Sequence, residues 1–271
     1  EMGYFHQAGG DAVVDVTPKN VGEDPAKVRA VSRKTGLHFI HGTAYYVQSG
    51  HPEYIEDMSE SELEEEFVSD VVEGIDETSV RAGIIGEIGL SGHLHEDEIK
   101  VLRAAGRAAC RTGAPVSIHP AGRTEYSQRN RTYPRSRWGL EIVDILEEEG
   151  LDPNRVIMSH MDGTIYEDLK YQFELANRGV YIAYDLWGTE KYLSRWNDGY
   201  PSDTWRVNST LKHVENGNID RLVFSHDIGS KSKRRSYGGH GYAHIPENVV
   251  PRLMANRLSR TEIETILRDN P

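Results

Sequence analysis

The sequence places a metal-binding residue type at the end of four short apolar runs: Glu87, His119, His160 and Asp227. A carboxylate in such a position is costly to bury unless a partner compensates its charge, and a divalent cation is an efficient partner. Two imidazoles and two carboxylates suit Zn2+, with Mn2+, Co2+ or Fe2+ as alternatives. Taken alone, each residue is more typical of a structural histidine or a helix cap, but four equivalent positions favour a metal centre.

The elements that must position these residues are strands, because each apolar run is short and rich in β-branched or aromatic residues. Seven such runs occur, and helical patterns lie between them. The runs are Ala12–Val16, Leu37–Ile40, Ala82–Ile88, Pro115–Ile118, Arg155–Met158, Val180–Tyr184 and Arg221–Phe224. Alternating strands and helices predict a parallel α/β fold.

The helical patterns carry their own boundary signals. Asp24 is a predicted N-cap before the first of them, and Ser61 with Glu64 forms a predicted capping box in another. The helical patterns are Pro25–Lys34, Ser59–Ile75, Glu96–Arg111, Gly139–Glu149, Tyr166–Ala176, Ser209–Val214, Pro246–Asn256 and Thr261–Arg268. In a barrel built from these units, the loops after the strands form the active-site face.

Length and composition limit the possible classes of protein. The chain has 271 residues, which fits one (β/α)8 TIM barrel, and no low-complexity linker divides it. We therefore expect a single domain over residues 1–271, incomplete at both ends, with its first strand missing. A formal net charge of −12 argues against nucleic acid and anionic membranes as partners. The single cysteine, Cys110, excludes internal disulfides, favours a cytoplasmic location and is predicted to be a buried packing residue.

Several short motifs, in their order and spacing, resemble the phosphotriesterase family of the amidohydrolase superfamily. The motifs are Val14–Thr17, Gly42–Tyr46, Ile85–Gly89, Ser117–Pro120, Met158–Asp162, Ser225–Ile228 and Gly238–Tyr242. The resemblance implies two divalent metal ions and a metal-activated hydroxide between them. It implies that Glu87 bridges the ions, that His119 and His160 bind the second ion, and that Asp227 binds the first and shuttles a proton. The family's His-x-His pair would lie on the first strand.

The resemblance implies a hydrolase that acts on a small molecule, either a lactone, a carboxylic ester or an amide. Hydrolysis of organophosphate triesters is one alternative, and a catalytically inactive barrel that acts as a binding protein is another. Dimers are usual among relatives, so a homodimer is a further expectation. His226 precedes Asp227 and would point the opposite way on a strand, which predicts a packing role.

Five residues around the metal centre are candidates for substrate binding: Tyr45, Tyr46, Arg123, His240 and Tyr242. One of the two tyrosines is expected to face the pocket, where relatives use a similar group against the substrate oxygen. Basic residues cluster in the segment Arg123–Trp138 and again in Lys231–Arg235. Such clusters suit an anionic substrate, and solvated loops that pair with the acidic body are the alternative.

Overall fold

The computed structural model of the chain describes residues 1–121, 138–164, 169–190, 192–193 and 198–271. The chain divides into two compact units. The first unit is Ala12–Met158, and the second unit is Glu1–Asp11 together with Ser159–Pro271.

The first unit contains five parallel strands in sequential order. They are β1 (Ala12–Asp15), β2 (His38–Thr43), β3 (Ile84–Gly89), β4 (Val116–His119) and β5 (Val156–Met158). Its helices are α2 (Pro25–Thr35), α3 (Tyr54–Asp57), α4 (Glu60–Val72), α5 (Glu96–Thr112) and α6 (Trp138–Glu148). Ile85, Ile88, Val116 and Ile118 are fully buried, as expected for strands covered on both faces.

The second unit begins with the short helix α1 (Met2–Gln7), and its strands β6 (Tyr181–Tyr184) and β9 (Leu222–Phe224) pair in parallel. A small antiparallel pair, β7 (Tyr192–Leu193) and β8 (Asp198–Gly199), lies between them in the chain. Its other helices are α7 (Leu169–Asn177), α8 (Asp203–Glu215), α9 (Val250–Ala255) and α10 (Arg260–Glu264), and π-helical turns cover Ile245–Val249 and Thr265–Asp269.

The strand pairing confirms the predicted fold class, a parallel α/β fold of the (β/α)8 barrel type. Apart from the short antiparallel pair of β7 and β8, the pairing is parallel in both units, and the described residues contain seven parallel strands. No helix in this described part of the chain has the length and apolar character that a membrane span needs.

Two details of the helices differ from the prediction. The capping box of α4 is formed by Ser59 and Glu62, because Ser59 lies in extended backbone just before the first turn while Ser61 is already helical. Cys110 is exposed, so its predicted burial was wrong; it lies on the outer face of α5, whose buried face carries leucine, valine and alanine. The N-cap predicted at Asp24 is confirmed, since its side chain accepts a hydrogen bond from the Lys27 amide.

Acid should destabilise the fold through a buried histidine of the second unit. His213 of α8 is buried, its Nε2 lies 2.9 Å from Gln172 Oε1, and burial lowers its pKa to about 4. Below about pH 6.5 the imidazole is protonated in the unfolded chain but stays neutral in the folded chain. The free energy of unfolding therefore falls as the pH drops toward 4. At pH 5 the loss is about 2 kcal/mol.

Urea unfolding at pH 7 and pH 5 tests this expectation in the wild type and in His213→Gln, which keeps a polar side chain that does not titrate. The variant should lose about 2 kcal/mol less than the wild type between the two pH values. An identical pH dependence in both proteins would refute the assignment to His213.

Candidate metal centre

In the first unit, a bulge at the end of β3 brings Glu87 beside His119. Ile85 pairs with Val116 and Ile88 with Ile118, so β3 has one more residue than β4 in this interval. Such a bulge re-aims side chains at the end of a strand. Gly86 permits the close approach of β3 to β4, since a Cβ at this position would lie 2.6 Å from the Ser117 Cβ atom.

The distance between these two side chains fits a pair of ligands to one ion. Glu87 Oε2 lies 3.4 Å from His119 Nδ1. Two ligands at 2.0–2.1 Å from a tetrahedral ion are roughly 3.3 Å apart. Each side chain is largely buried, with 16% of Glu87 and 18% of His119 exposed. The donor set and the spacing therefore fit a divalent transition metal.

Tyr46 contacts His119 and orients its imidazole ring. The Tyr46 hydroxyl lies 2.9 Å from His119 Nε2, and the two rings are 4.7 Å apart. When Nε2–H donates to the tyrosine oxygen, Nδ1 keeps its lone pair toward Glu87. A Cβ at Gly89 would lie 2.5 Å from a backbone atom of Tyr46, so a glycine is needed for Tyr46 to pack this closely against the end of β3.

Tyr45 and Tyr46 were both candidates for substrate binding, but their side chains have different surroundings in the structure. Tyr45 is 1% exposed, and its hydroxyl donates to Glu66 Oε1 at 2.9 Å and lies 3.1 Å from the Tyr54 hydroxyl. Its side chain therefore packs against α4, and its assignment to substrate binding is corrected. Adjacent residues of an extended segment point in opposite directions, which leaves Tyr46 as the one beside His119.

In the second unit, Asp185 holds His160 at two points. Asp185 Oδ1 lies 2.8 Å from His160 Nδ1, and Asp185 Oδ2 accepts a hydrogen bond from the His160 amide at 2.9 Å. A carboxylate held against one ring nitrogen is the arrangement that commonly orients a metal-binding histidine. His160 has a positive φ of 58°, a conformation rare outside glycine, so the double contact maintains an unfavourable backbone.

Asp227 also adopts a positive φ, 46°, three residues after the end of β9. Its side chain is 42% exposed and pairs with Lys233 Nζ at 2.8 Å. Partial removal of water raises the pKa of Asp227, while the charges of His160 and Lys233 act in the opposite direction. The pairing with Lys233 favours the ionised carboxylate, which is the form that binds a metal ion.

A buried ionic network fixes the loop that carries Asp185, and the sequence did not reveal it. Arg206 is fully buried and donates to Asp162 Oδ2 and to Asp203 Oδ1, each at 2.8 Å. Asp162 Oδ2 also accepts the amide of Leu186, the residue after Asp185. Burial raises the pKa of Asp162 to about 6, which Arg206 opposes. The network therefore supports His160 indirectly, through Asp185.

The remaining predicted residues have varied positions. His226 is buried, and its Nε2 accepts the Ile245 amide at 3.1 Å, in agreement with the predicted packing role. The rings of His240 and Tyr242 lie 6.1 and 6.5 Å from the His226 ring, respectively. Their contact with substrate stays a prediction. Arg123 lies outside the described residues.

Asp185 could have been found from the sequence. It follows directly on β6, and the four predicted ligands also lie near the C-terminal ends of their strands. The strand-end rule that selected Glu87 and His119 therefore applies to Asp185 as well. Arg206 and Asp203 gave no such signal, because a charged residue in a helical pattern is normally part of a solvated face.

The profile of the Phosphotriesterase family matches residues 1–271 of this chain. Two curated N-acetyltaurine hydrolases are each 38% identical over 273 residues and align with the whole chain. The alignment covers 70% of the protein from Dictyostelium discoideum and 74% of the protein from Homo sapiens.

Two solved structures are similar over the full length of the chain. A resiniferatoxin-binding protein from Rhodobacter sphaeroides has a TM-score of 0.91 and 34% identity, and 72% of it is covered. A phosphotriesterase homology protein from Escherichia coli, solved with phosphate in its active site, has a TM-score of 0.86 and 29% identity, and 86% of it is covered. The resemblance inferred from the motifs is thereby confirmed.

Proposed function

Because the chain belongs to the phosphotriesterase family, we propose that it is a metal-dependent amide hydrolase that cleaves an N-acylated amine bearing an anionic group. The coarse assignment, a hydrolase of this family, rests on the match over the whole chain and on the hydrolases among its relatives. The amide class is proposed from the N-acetyltaurine hydrolases, whose named substrate is an acylated aminosulfonate.

The observation that carries the metal dependence is the way both histidines are held. Tyr46 contacts one ring nitrogen of His119, and Asp185 contacts one ring nitrogen of His160, so each imidazole is oriented by a polar neighbour, as is usual for histidines that bind metals. We propose that Glu87, His119, His160 and Asp227 together hold two divalent ions, with Zn2+ as the first choice. Such ions would supply a nucleophilic hydroxide at neutral pH and a Lewis acid for the substrate's carbonyl oxygen.

The protein's own side chains then perform the proton transfers of amide hydrolysis. Water adds to the carbonyl carbon, the C–N bond breaks, and the amine nitrogen leaves with an added proton. In this proposal Asp227 accepts the proton of the attacking water and passes it to the leaving nitrogen. Tyr46, whose hydroxyl lies 2.9 Å from His119 Nε2, would orient that imidazole during the reaction.

A comparison of substrates tests the proposed function. The zinc-loaded protein should hydrolyse N-acetyltaurine with a kcat/KM at least about 100-fold above that for a neutral lactone or for a dialkyl aryl phosphate triester. Removal of metal with a chelator should abolish the activity, and addition of Zn2+ should restore it. A preference for the triester or the lactone would overturn the substrate class, and full activity in the chelated protein would overturn the metal dependence.

Asp185→Asn is expected to weaken zinc binding about 10- to 100-fold, because histidine ligands depend on the carboxylate that orients them. Asparagine keeps the size of the side chain but replaces one carboxylate oxygen by an amide nitrogen that cannot accept from both His160 donors. Competition with a chromophoric chelator measures the change. Asp220→Asn, at an exposed position of the same unit, is the matched control and should bind zinc like the wild type. Equal affinity in both variants would contradict the role of Asp185.

A further inference from the structure

Lys233, in the loop after β9, has an unusual environment for a lysine. Only 14% of its side chain is exposed, although it belongs to a short loop helix with an otherwise exposed surface. Its ammonium lies 2.8 Å from Asp227 Oδ2 and also donates a hydrogen bond to the Asp227 carbonyl oxygen. The ammonium is therefore placed directly beside a proposed metal ligand.

The loop holds this lysine in place through its backbone. The Lys233 amide donates to the Ser230 carbonyl oxygen at 3.2 Å, and the Lys233 carbonyl oxygen accepts the Gly241 amide at 2.9 Å. A lysine side chain normally loses considerable conformational entropy when it is fixed. The tethered backbone fixes the point from which the side chain extends, and the two hydrogen bonds to Asp227 hold the ammonium at its far end.

The neighbouring cations of the loop have other contacts. Arg235 pairs with Glu247 and lies 4.9 Å above the Tyr4 ring, and Arg234 lies 5.0 Å above the Tyr237 ring. Among the described basic residues of this loop, Lys233 alone has its cationic group against Asp227. The sequence predicted that this basic loop binds an anion, and Lys233 is the residue of the loop that is placed to do so.

The charge balance at Lys233 leaves room for an anion. An ammonium has three N–H donors, and in the described part of the chain its acceptors are the two oxygen atoms of Asp227. When the Asp227 carboxylate is shared with a divalent cation, it compensates less of the lysine's charge. A second anion at the ammonium would then be stabilised by a charge-assisted hydrogen bond.

We propose that Lys233 binds the sulfonate or carboxylate group of the amine portion of the substrate. The inference rests on the proposed amide hydrolase function and adds to it the residue that recognises the anionic group. The competing role, in which Lys233 only positions Asp227, predicts equal effects on charged and neutral substrates. The two roles are therefore separable by experiment.

The test compares Lys233→Met with the wild type on N-acetyltaurine and on N-acetylethanolamine, in which a neutral hydroxyl replaces the sulfonate. A hydrogen bond to a charged group contributes about 1.5–3 kcal/mol, so kcat/KM for N-acetyltaurine should fall about 10- to 100-fold. The value for the neutral amide should change less than about threefold. Lys233→Arg should retain most of the activity, and Lys212→Met, at an exposed lysine of α8, should resemble the wild type.

Two further measurements do not depend on turnover. The zinc content of Lys233→Met should equal that of the wild type, and calorimetric titration with taurine should show about 10-fold weaker binding in the variant. An equal loss on both amides, a reduced zinc content or unchanged taurine binding would overturn the proposal. A wild type that binds taurine through Lys233 but cleaves no amide would leave the anion site standing and refute the proposed function. A wild type that neither binds taurine nor cleaves an amide would refute both.

Discussion

Replacing Asp227 with asparagine is expected to lower kcat for amide hydrolysis about 10²- to 10⁴-fold, the range in which a positioned general acid–base group contributes. The amide side chain has nearly the same shape but cannot accept the proton of the attacking water. It also lacks the negative charge that pairs with Lys233 at 2.8 Å. The loss should therefore persist at saturating substrate.

Asp227 has a second role in the proposed centre, as a metal ligand, and the experiment must separate the two. Kinetics at saturating Zn2+, with the metal content of the variant measured in parallel, removes any contribution from reduced occupancy. A kcat that remains low at full occupancy reports the loss of the proton acceptor. Asp220→Asn is the matched control, because this aspartate is exposed in the same unit. More than about a tenth of wild-type kcat in Asp227→Asn would contradict the assigned role.

The largest effect on stability is expected from Arg206→Met. This arginine is fully buried, and its guanidinium donates to Asp162, to Asp203 and to the carbonyl oxygen of Thr189. Methionine fills a similar volume but leaves the buried Asp162 without its guanidinium partner, while Asp203 keeps His244 at 2.7 Å and Arg252 at 4.0 Å. Removal of one partner from a buried ion pair costs about 3–5 kcal/mol.

A chain of this size loses about 2–4 °C of Tm for each kcal/mol of unfolding free energy that is lost. The Tm of Arg206→Met should therefore fall about 6–20 °C. Arg252→Met provides the matched control, since Arg252 lies 4.0 Å from the same Asp203 carboxylate but is 43% exposed. Its Tm should change by less than about 3 °C, because exposed ion pairs contribute little. A Tm of Arg206→Met within the range of the control would refute the importance of the buried network.

The longer elements of the fold could be predicted because each carries a local signal. Buried strands such as Ala82–Ile88 stand out as apolar runs, and Asp24 marks the start of α2 by its capping chemistry. The capping box of α4 shows the limit of such predictions. Ser59 and Ser61 each precede a glutamate by three residues, and only the structure shows that Ser59 is the N-cap. The pair β7 and β8 was not predicted, since strands of two residues have no periodicity.

The candidate site was only partly predictable, because side-chain direction depends on tertiary contacts. Tyr45 and Tyr46 are equivalent in sequence, and only the burial of Tyr45 against Glu66 separates them. Lys233 was one cation of a basic cluster until its contact with Asp227 set it apart. Arg206 could not be assigned to a buried network, since nothing in its helical context indicates that two carboxylates face it.

The central claim is that Glu87, His119, His160 and Asp227 bind divalent metal ions, and a Co2+ titration tests it most directly. Bound Co2+ absorbs visible light with an intensity that depends on its ligands, so the spectrum reports the site itself. The wild type should show a saturable band, and Glu87→Ala and His160→Ala should each weaken Co2+ binding at least about 10-fold and lose that same band. His93→Ala, at an exposed loop position, should leave the band unchanged. A band that survives unchanged in Glu87→Ala or in His160→Ala would contradict the proposed set of ligands.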